Sequence, residues 1–171
     1  AAWKRWPAER FAAVADFVGR HWDLPVLLFG SPAERPLLED IAARLATPPV
    51  LVCEEDMMVS FAILARVGFY VTADSGPMHV AAALDIPQVA IFGPSSFAKF
   101  FPLSRQARVV RQPVPCVPCP PARGRKCAHR SCLNAIATEA VLLELARLVA
   151  GEFPQLGCHC QTQANDESKI T

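Results

Sequence analysis

A doubly wound α/β fold is predicted for this chain by two observations. Short apolar runs alternate with segments of helical periodicity, and polar residues gather just after those runs. The runs are Val26–Phe29, Val50–Cys53, Phe69–Thr72 and Val89–Phe92. A strand that is apolar along its whole length is buried on both faces, which a parallel sheet with helices on either side provides. Right-handed crossovers then give a Rossmann-like arrangement. In such sheets ligands bind beyond the carboxyl ends of the strands, here residues 30–34, 73–79 and 93–96.

Taken in order, Pro7 suits a helix first turn, and Phe11, Val14, Ala15, Val18 and Trp22 form one apolar stripe over 7–22. After the Gly30-Ser31-Pro32 loop, Leu37, Leu38, Ile41, Ala42 and Leu45 repeat at helical spacing until Pro48-Pro49 forbids continuation. Helices are also predicted over 59–67 and 77–84, and an edge strand over 108–111. Six of the 16 prolines lie from Pro102 to Pro121, marking a helix-free loop. Thr138 is a plausible N-cap for a last amphipathic helix through Val141, Leu142, Leu145, Leu148 and Val149, stopped at Gly151. Residues 1–150 therefore read as one domain with a Cys/Pro-rich basic loop at 112–132, and 151–171 as a flexible tail.

Composition narrows the function classes. With 171 residues, 52% hydrophobic and 19% charged, the chain can build a core and is not of disordered type. The apolar run from Met57 to Val67 is broken by Ser60 and Arg66 and falls short of the ~20 residues of a membrane helix. No secretory signal is recognisable, and the missing initiator Met leads us to expect upstream sequence. A net charge of +1 argues against a general nucleic-acid binder. Between Ile86 and Thr138, however, there is no Asp or Glu, while Lys99, Arg105, Arg108, Arg111, Arg123, Arg125, Lys126 and Arg130 all fall there. A solvated basic loop and an anionic partner, either a phosphorylated ligand or a membrane surface, both fit that segment. Of seven cysteines, Cys53 reads as a buried structural thiol and the other six cluster late, which without a secretory signal implies a reducing compartment.

The stretch from Thr72 to His79 leaves a strand and opens a helix. Unpaired amides at Ser75, Gly76 and their neighbours can hold a phosphate, and Asp74 can accept hydrogen bonds from sugar hydroxyls. Asp74 or Ser75 acting only as an N-cap, with His79 a surface or satisfied buried histidine, explains the same spacing.

The run Asp74-Ser75-Gly76-Pro77-Met78-His79-Val80-Ala81-Ala82-Ala83 resembles the signature of the ADP-heptose:lipopolysaccharide heptosyltransferase family of GT-B glycosyltransferases. Lys4-Arg5-Trp6-Pro7 with Phe11, Gly30-Ser31-Pro32-Ala33-Glu34 and Phe92-Gly93-Pro94-Ser95 resemble further family motifs. Cys116-x-x-Cys119, Cys127 and Cys132-Leu133 resemble the cysteine loop of the heptosyltransferase II branch, and Ile136 to Val141 its closing helix. The resemblance covers residues 3–150.

It implies the carboxyl-terminal, donor-binding half of an inverting enzyme that moves heptose from ADP-heptose to the lipopolysaccharide inner core. Lys4 would meet the donor diphosphate or sugar, Glu34 the ribose hydroxyls, Asp74 the heptose, and Ser75 and Gly76 the phosphates. His79 would shape the site or touch the ligand. No metal or other cofactor is required. The catalytic base and acceptor site are expected in an amino-terminal acceptor-binding domain outside this chain, leaving the chain alone inactive. A cytoplasmic location follows, peripheral to the inner membrane if the basic segment meets an anionic surface. Cys53-Glu54-Glu55-Asp56 departs from the family's Gly- and Thr/Ser-containing turn on the adenine side.

Two alternatives stay open. A GT-B enzyme using another nucleotide sugar would share the fold. A metal-binding or interaction module could be built on Cys116, Cys119, Cys127 and Cys132, but the second pair lacks zinc-knuckle spacing, which favours plain structural thiols. Cys158-His159-Cys160 adds metal-ligand types in the tail.

Overall fold

The structure is a computed structural model that describes residues 2–54 and 56–152. From the amino terminus come α1 (Ala8–His21), β1 (Leu27–Phe29), α2 (Arg35–Ala42), β2 (Val50–Val52), α3 (Met57–Leu64), β3 (Tyr70–Ala73), α4 (Gly76–Ala83), β4 (Gln88–Phe92), α5 (Phe97–Phe100), β5 (Ala107–Arg111), α6 (Pro121–Gly124), α7 (Ser131–Asn134) and α8 (Thr138–Glu152). Every expected strand and long helix is present. Pro7 precedes α1, and its carbonyl accepts from the amides of Arg10 and Phe11 at 3.1 and 3.2 Å. The helix expected at 59–67 starts at Met57 because the Asp56 carboxylate accepts from the Met58 amide at 2.8 Å and so caps that end. Thr138 is the first helical residue, not a cap. Gly151 does not stop α8, since it keeps a negative φ like every other described glycine and lacks the left-handed turn that ends helices. Of the tail expected at 151–171, Gly151 and Glu152 belong to α8, and residues 153–171 lie outside the described residues, as do Cys158-His159-Cys160 and Glu55.

All described strand pairs are parallel. β1 pairs with β2, Leu27 opposite Val50, and a second ladder runs β3-β4-β5, with Tyr70 opposite Gln88 and Phe92 opposite Arg111. The two ladders meet through side chains: the rings of Phe29 and Tyr70 lie edge to face with centroids 6.0 Å apart. β4 is the centre, buried at all five positions. Its alternate residues serve opposite faces. Val89 and Ile91, with Val110, pack against Val14 and Val18 of α1 and Val141, Leu145 and Val149 of α8. Ala90 and Phe92, with Val109, pack against Met78 of α4 and Phe97 of α5. Each fully buried large side chain contributes about 1.5–3 kcal/mol, and a one-residue slip would exchange the two sets, so the register is strongly fixed.

Burial on both faces holds for β4 but not for the shorter ladder. β1 is half-buried throughout and Val50 is exposed. Three brief helices, α5, α6 and α7, were not expected from periodicity; four residues are too few to show one.

Candidate functional site

The carboxyl ends of β1 and β3 and the amino-terminal residues converge on one group of charges. Lys4 closes a short 3₁₀ turn, Ala2–Lys4, and its Nζ donates to Asp74 Oδ2 at 2.7 Å. Asp74 directly follows β3 and is held level with β4 by its amide, which donates to the Ile91 carbonyl at 3.2 Å. Its side chain is only 8% exposed, against 29% for Lys4. The Lys4 ammonium also lies 5.6 Å from the Trp3 ring and 5.9 Å from the Phe100 ring, so aromatic faces limit where it can swing.

Glu34 ends the turn after β1. The Ser31 amide donates to its Oε2 at 3.0 Å as part of a capping box, the Ser31 hydroxyl donates to the same oxygen at 3.0 Å, and the Arg5 guanidinium donates to Oε1. These bonds, that from the Ser31 amide foremost, hold the Glu34 carboxyl below its ordinary pKa, although burial pushes the other way. Consecutive residues Lys4 and Arg5 thus each neutralise a carboxylate from a different strand end. Arg5 was missed by the sequence reading as a site residue. Its position next to Lys4 was visible, but its partner lies 29 residues away.

Ser75 and Gly76 begin α4, with Pro77 in its first turn. The Ser75 and Thr72 hydroxyls are 3.3 Å apart. A Cβ on Gly76 would meet nothing within 4 Å, so this helix end is open. Lys4, Glu34, Asp74, Ser75 and Gly76 therefore lie around the ends of β1 and β3. His79 is exposed on α4, and neither a hydrogen bond nor an ion pair joins it to these charges among the described residues. Nearby, Tyr70 has its phenol pKa pushed up, chiefly by burial.

The cysteine loop reaches this region. The Cys119 amide donates to the Pro94 carbonyl at 2.7 Å, Arg130 Nη2 to the Arg5 carbonyl at 2.6 Å, and Trp6 Nε1 to the Ile136 carbonyl at 3.1 Å. Gly124 allows the approach, because a Cβ there would lie 2.4 Å from the Trp3 ring. Cys132 is buried, which raises its thiol pKa, with Cys116 and Cys127 adding to the effect. Cys116, Cys119 and Cys127 are half-buried, and among the described residues no group of three or more His, Cys, Asp or Glu is placed to hold a metal ion. Lys99, Arg105, Arg108, Arg111, Arg123, Arg125 and Lys126 are exposed and make no ion pair among the described residues. No described helix is long and apolar enough to cross a membrane.

An open parallel sheet with charged groups at its strand ends is here the Rossmann-like fold of a GT-B glycosyltransferase. The structure of Escherichia coli ADP-heptose LPS heptosyltransferase II matches it at a TM-score of 0.71 and 34% identity, over 87% of this chain and 43% of that one. The chain belongs to glycosyltransferase family 9 (heptosyltransferase), whose family model matches residues 1–129. Lipooligosaccharide heptosyltransferase 2 of Campylobacter jejuni is 32% identical over 85% of this chain and 47% of its own length. Lipopolysaccharide heptosyltransferase 2 of Salmonella typhimurium is 39% identical over 63% of this chain and 32% of its own. The chain thus spans half or less of the relatives it matches.

Proposed function

We propose that this chain is the donor-binding part of an inverting heptosyltransferase that transfers heptose from ADP-heptose to the lipopolysaccharide inner core. The observation that carries the reading is the joining of Lys4 to Asp74 beside the open amino end of α4, with Glu34 fixed at the neighbouring strand end. The names of the relatives supply the donor and the pathway class.

Glu34 accepts from a ribose hydroxyl through the one acceptor position left beside the Ser31 amide, the Ser31 hydroxyl and Arg5, since a carboxylate has about four. Lys4 and the amides at Ser75 and Gly76 hold the diphosphate, and Asp74 accepts from heptose hydroxyls. As the bond from the anomeric carbon to the diphosphate breaks, negative charge grows on the departing ADP and the same cation and amides stabilise it. No metal is needed for that step. The base that deprotonates the acceptor hydroxyl, and the acceptor-binding domain carrying it, lie outside these 171 residues. The chain alone therefore binds donor without transferring sugar. A position at the cytoplasmic face of an anionic membrane is supported by the exposed cations Arg123, Arg125 and Lys126, which could meet the lipid surface.

Calorimetry with ADP, ADP-heptose, UDP and GDP tests the reading. ADP and ADP-heptose should bind, and Asp74→Ala should weaken ADP-heptose far more than ADP. Tighter binding of UDP or GDP, or equal losses for ADP and ADP-heptose in Asp74→Ala, would overturn the donor assignment.

A further inference from the structure

Beyond the carboxyl ends of β4 and β5 lies a second cleft, of about 550 Å³, that none of the donor-site residues lines. Its walls are apolar, with Phe92, Phe97, Val114 and Pro118 among them. Arg111 is an exposed member of the lining, its guanidinium 4.6 Å from the centroid of the Phe97 ring. That stacking orients the guanidinium, which has no carboxylate partner among the described residues. Ser95 lines the same cleft, is 7% exposed, and its hydroxyl has no hydrogen-bond partner among the described residues. A buried polar group of this kind calls for an explanation, and a ligand group that gives it a partner is one.

The two features fix the ligand's chemistry. An oriented guanidinium without a counter-charge matches a carboxylate or phosphate, which accepts two parallel hydrogen bonds from it. Aromatic and proline walls match the C–H face of a sugar ring, and the Ser95 hydroxyl, turned about one bond, matches a sugar hydroxyl. Placement fixes the role. Ala73 pairs with Ile91 and Phe92 with Arg111, so Asp74, Phe92 and Arg111 follow one another across the strand ends. At a strand spacing of roughly 4.8 Å, the backbones of Asp74 and Arg111 are about 10 Å apart. That is about the width of a sugar ring with its substituents.

We propose that this cleft adds, from the donor side, a subsite for the charged part of an acceptor sugar whose other contacts lie in the acceptor-binding domain, with Arg111 binding its carboxylate or phosphate and Ser95 a hydroxyl. Its role in transfer rests on the donor reading above; its capacity to bind an anionic sugar does not.

Amide NMR titrations of the whole chain with glucose 6-phosphate, galacturonate, glucose and inorganic phosphate decide it. The two anionic sugars should shift the amides of residues 95–97 and 111–114, with glucose and free phosphate much weaker. Arg111→Gln, at an exposed position that spares the fold, should weaken both by about tenfold or more, and Arg111→Lys by less. Shifts confined to 74–77, equal binding of free phosphate, or unchanged affinity in Arg111→Gln would overturn the subsite. ADP, read at residues 31–34 and 74–77, separates the two readings: anionic-sugar binding without ADP binding sinks the donor reading alone, and the converse sinks the subsite alone.

Discussion

The Lys4 ammonium donates to the Asp74 carboxylate at 2.7 Å and ties the start of the chain to the end of β3 across 70 positions of sequence. One residue on, Arg5 does the same for Glu34 at the end of β1. Without ligand each acid is held by its own base. A diphosphate reaching Lys4 therefore competes with Asp74, and a sugar hydroxyl reaching Asp74 meets a carboxylate already oriented.

The two halves of that first pair should not be equivalent for stability. Lys4→Met leaves a nearly buried carboxylate without its cation, a loss of about 1–3 kcal/mol. Asp74→Asn leaves a more exposed ammonium that water can solvate, a loss of ~1 kcal/mol or less. Urea denaturation of the two variants checks the order, and a greater loss for Asp74→Asn would mean that the lysine does not support the carboxylate.

Glu34 makes a pH prediction with a definite sign. Its carboxyl pKa is lowered in the fold, by the Ser31 amide first and by Arg5 and the Ser31 hydroxyl after it. The stability it supplies is complete above the unfolded value of about 4.3 and is lost as pH falls through the lower folded value. The wild-type advantage over Glu34→Gln in urea midpoint should thus be largest near neutrality and shrink on acidification below that unfolded value. An advantage that grew with acid would have the wrong sign.

These features were unequally legible in the sequence. β4 was readable because four apolar residues in a row, Val89 to Phe92, have no other comfortable place than the middle of a sheet. The turn at Asp74, Ser75 and Gly76 was readable because a strand, small residues and a helix adjoin there. The fold then brings Lys4 to Asp74, which local spacing could not show and the family resemblance only implied. Arg5 and the Gly124–Trp3 approach stayed hidden because each depends on segments far apart in the chain. α3 could be recognised as helical but not oriented: its residues are apolar all round, so no stripe marks a buried face, and Met57, Met58 and Val59 end up exposed.

The cysteine loop should behave as thiols, not as a metal centre. Cys116, Cys119 and Cys127 are half-buried, whereas Cys132 is buried with a raised pKa and Cys53 is buried. Alkylation of the native protein at neutral pH, followed by mass spectrometry, should modify the first three well before Cys132 and Cys53, because the reagent needs an accessible thiolate. Metal content after purification without added zinc should be well under one equivalent. Stoichiometric zinc lost on Cys119→Ser would refute this.

Gly93 offers the sharpest steric test of how the loop region seats on the sheet. It follows β4 directly, and a Cβ there would lie 2.5 Å from both Cγ and Cδ2 of Leu133, a residue with no exposed surface. Gly93→Ala must therefore displace Leu133 within the core it shares with Ile91 and Val141, an overpacking loss of ~1–3 kcal/mol. Leu133→Ala alone removes buried volume and loses about 2–5 kcal/mol. In the double variant the new methyl enters space that the leucine has vacated, so the combined loss should fall short of the sum by ~0.5 kcal/mol or more. A double-mutant cycle in urea measures this difference directly. Strict additivity would mean that the Gly93 backbone moves away from α7 at little cost and that the close approach does not hold this end of β4 in place.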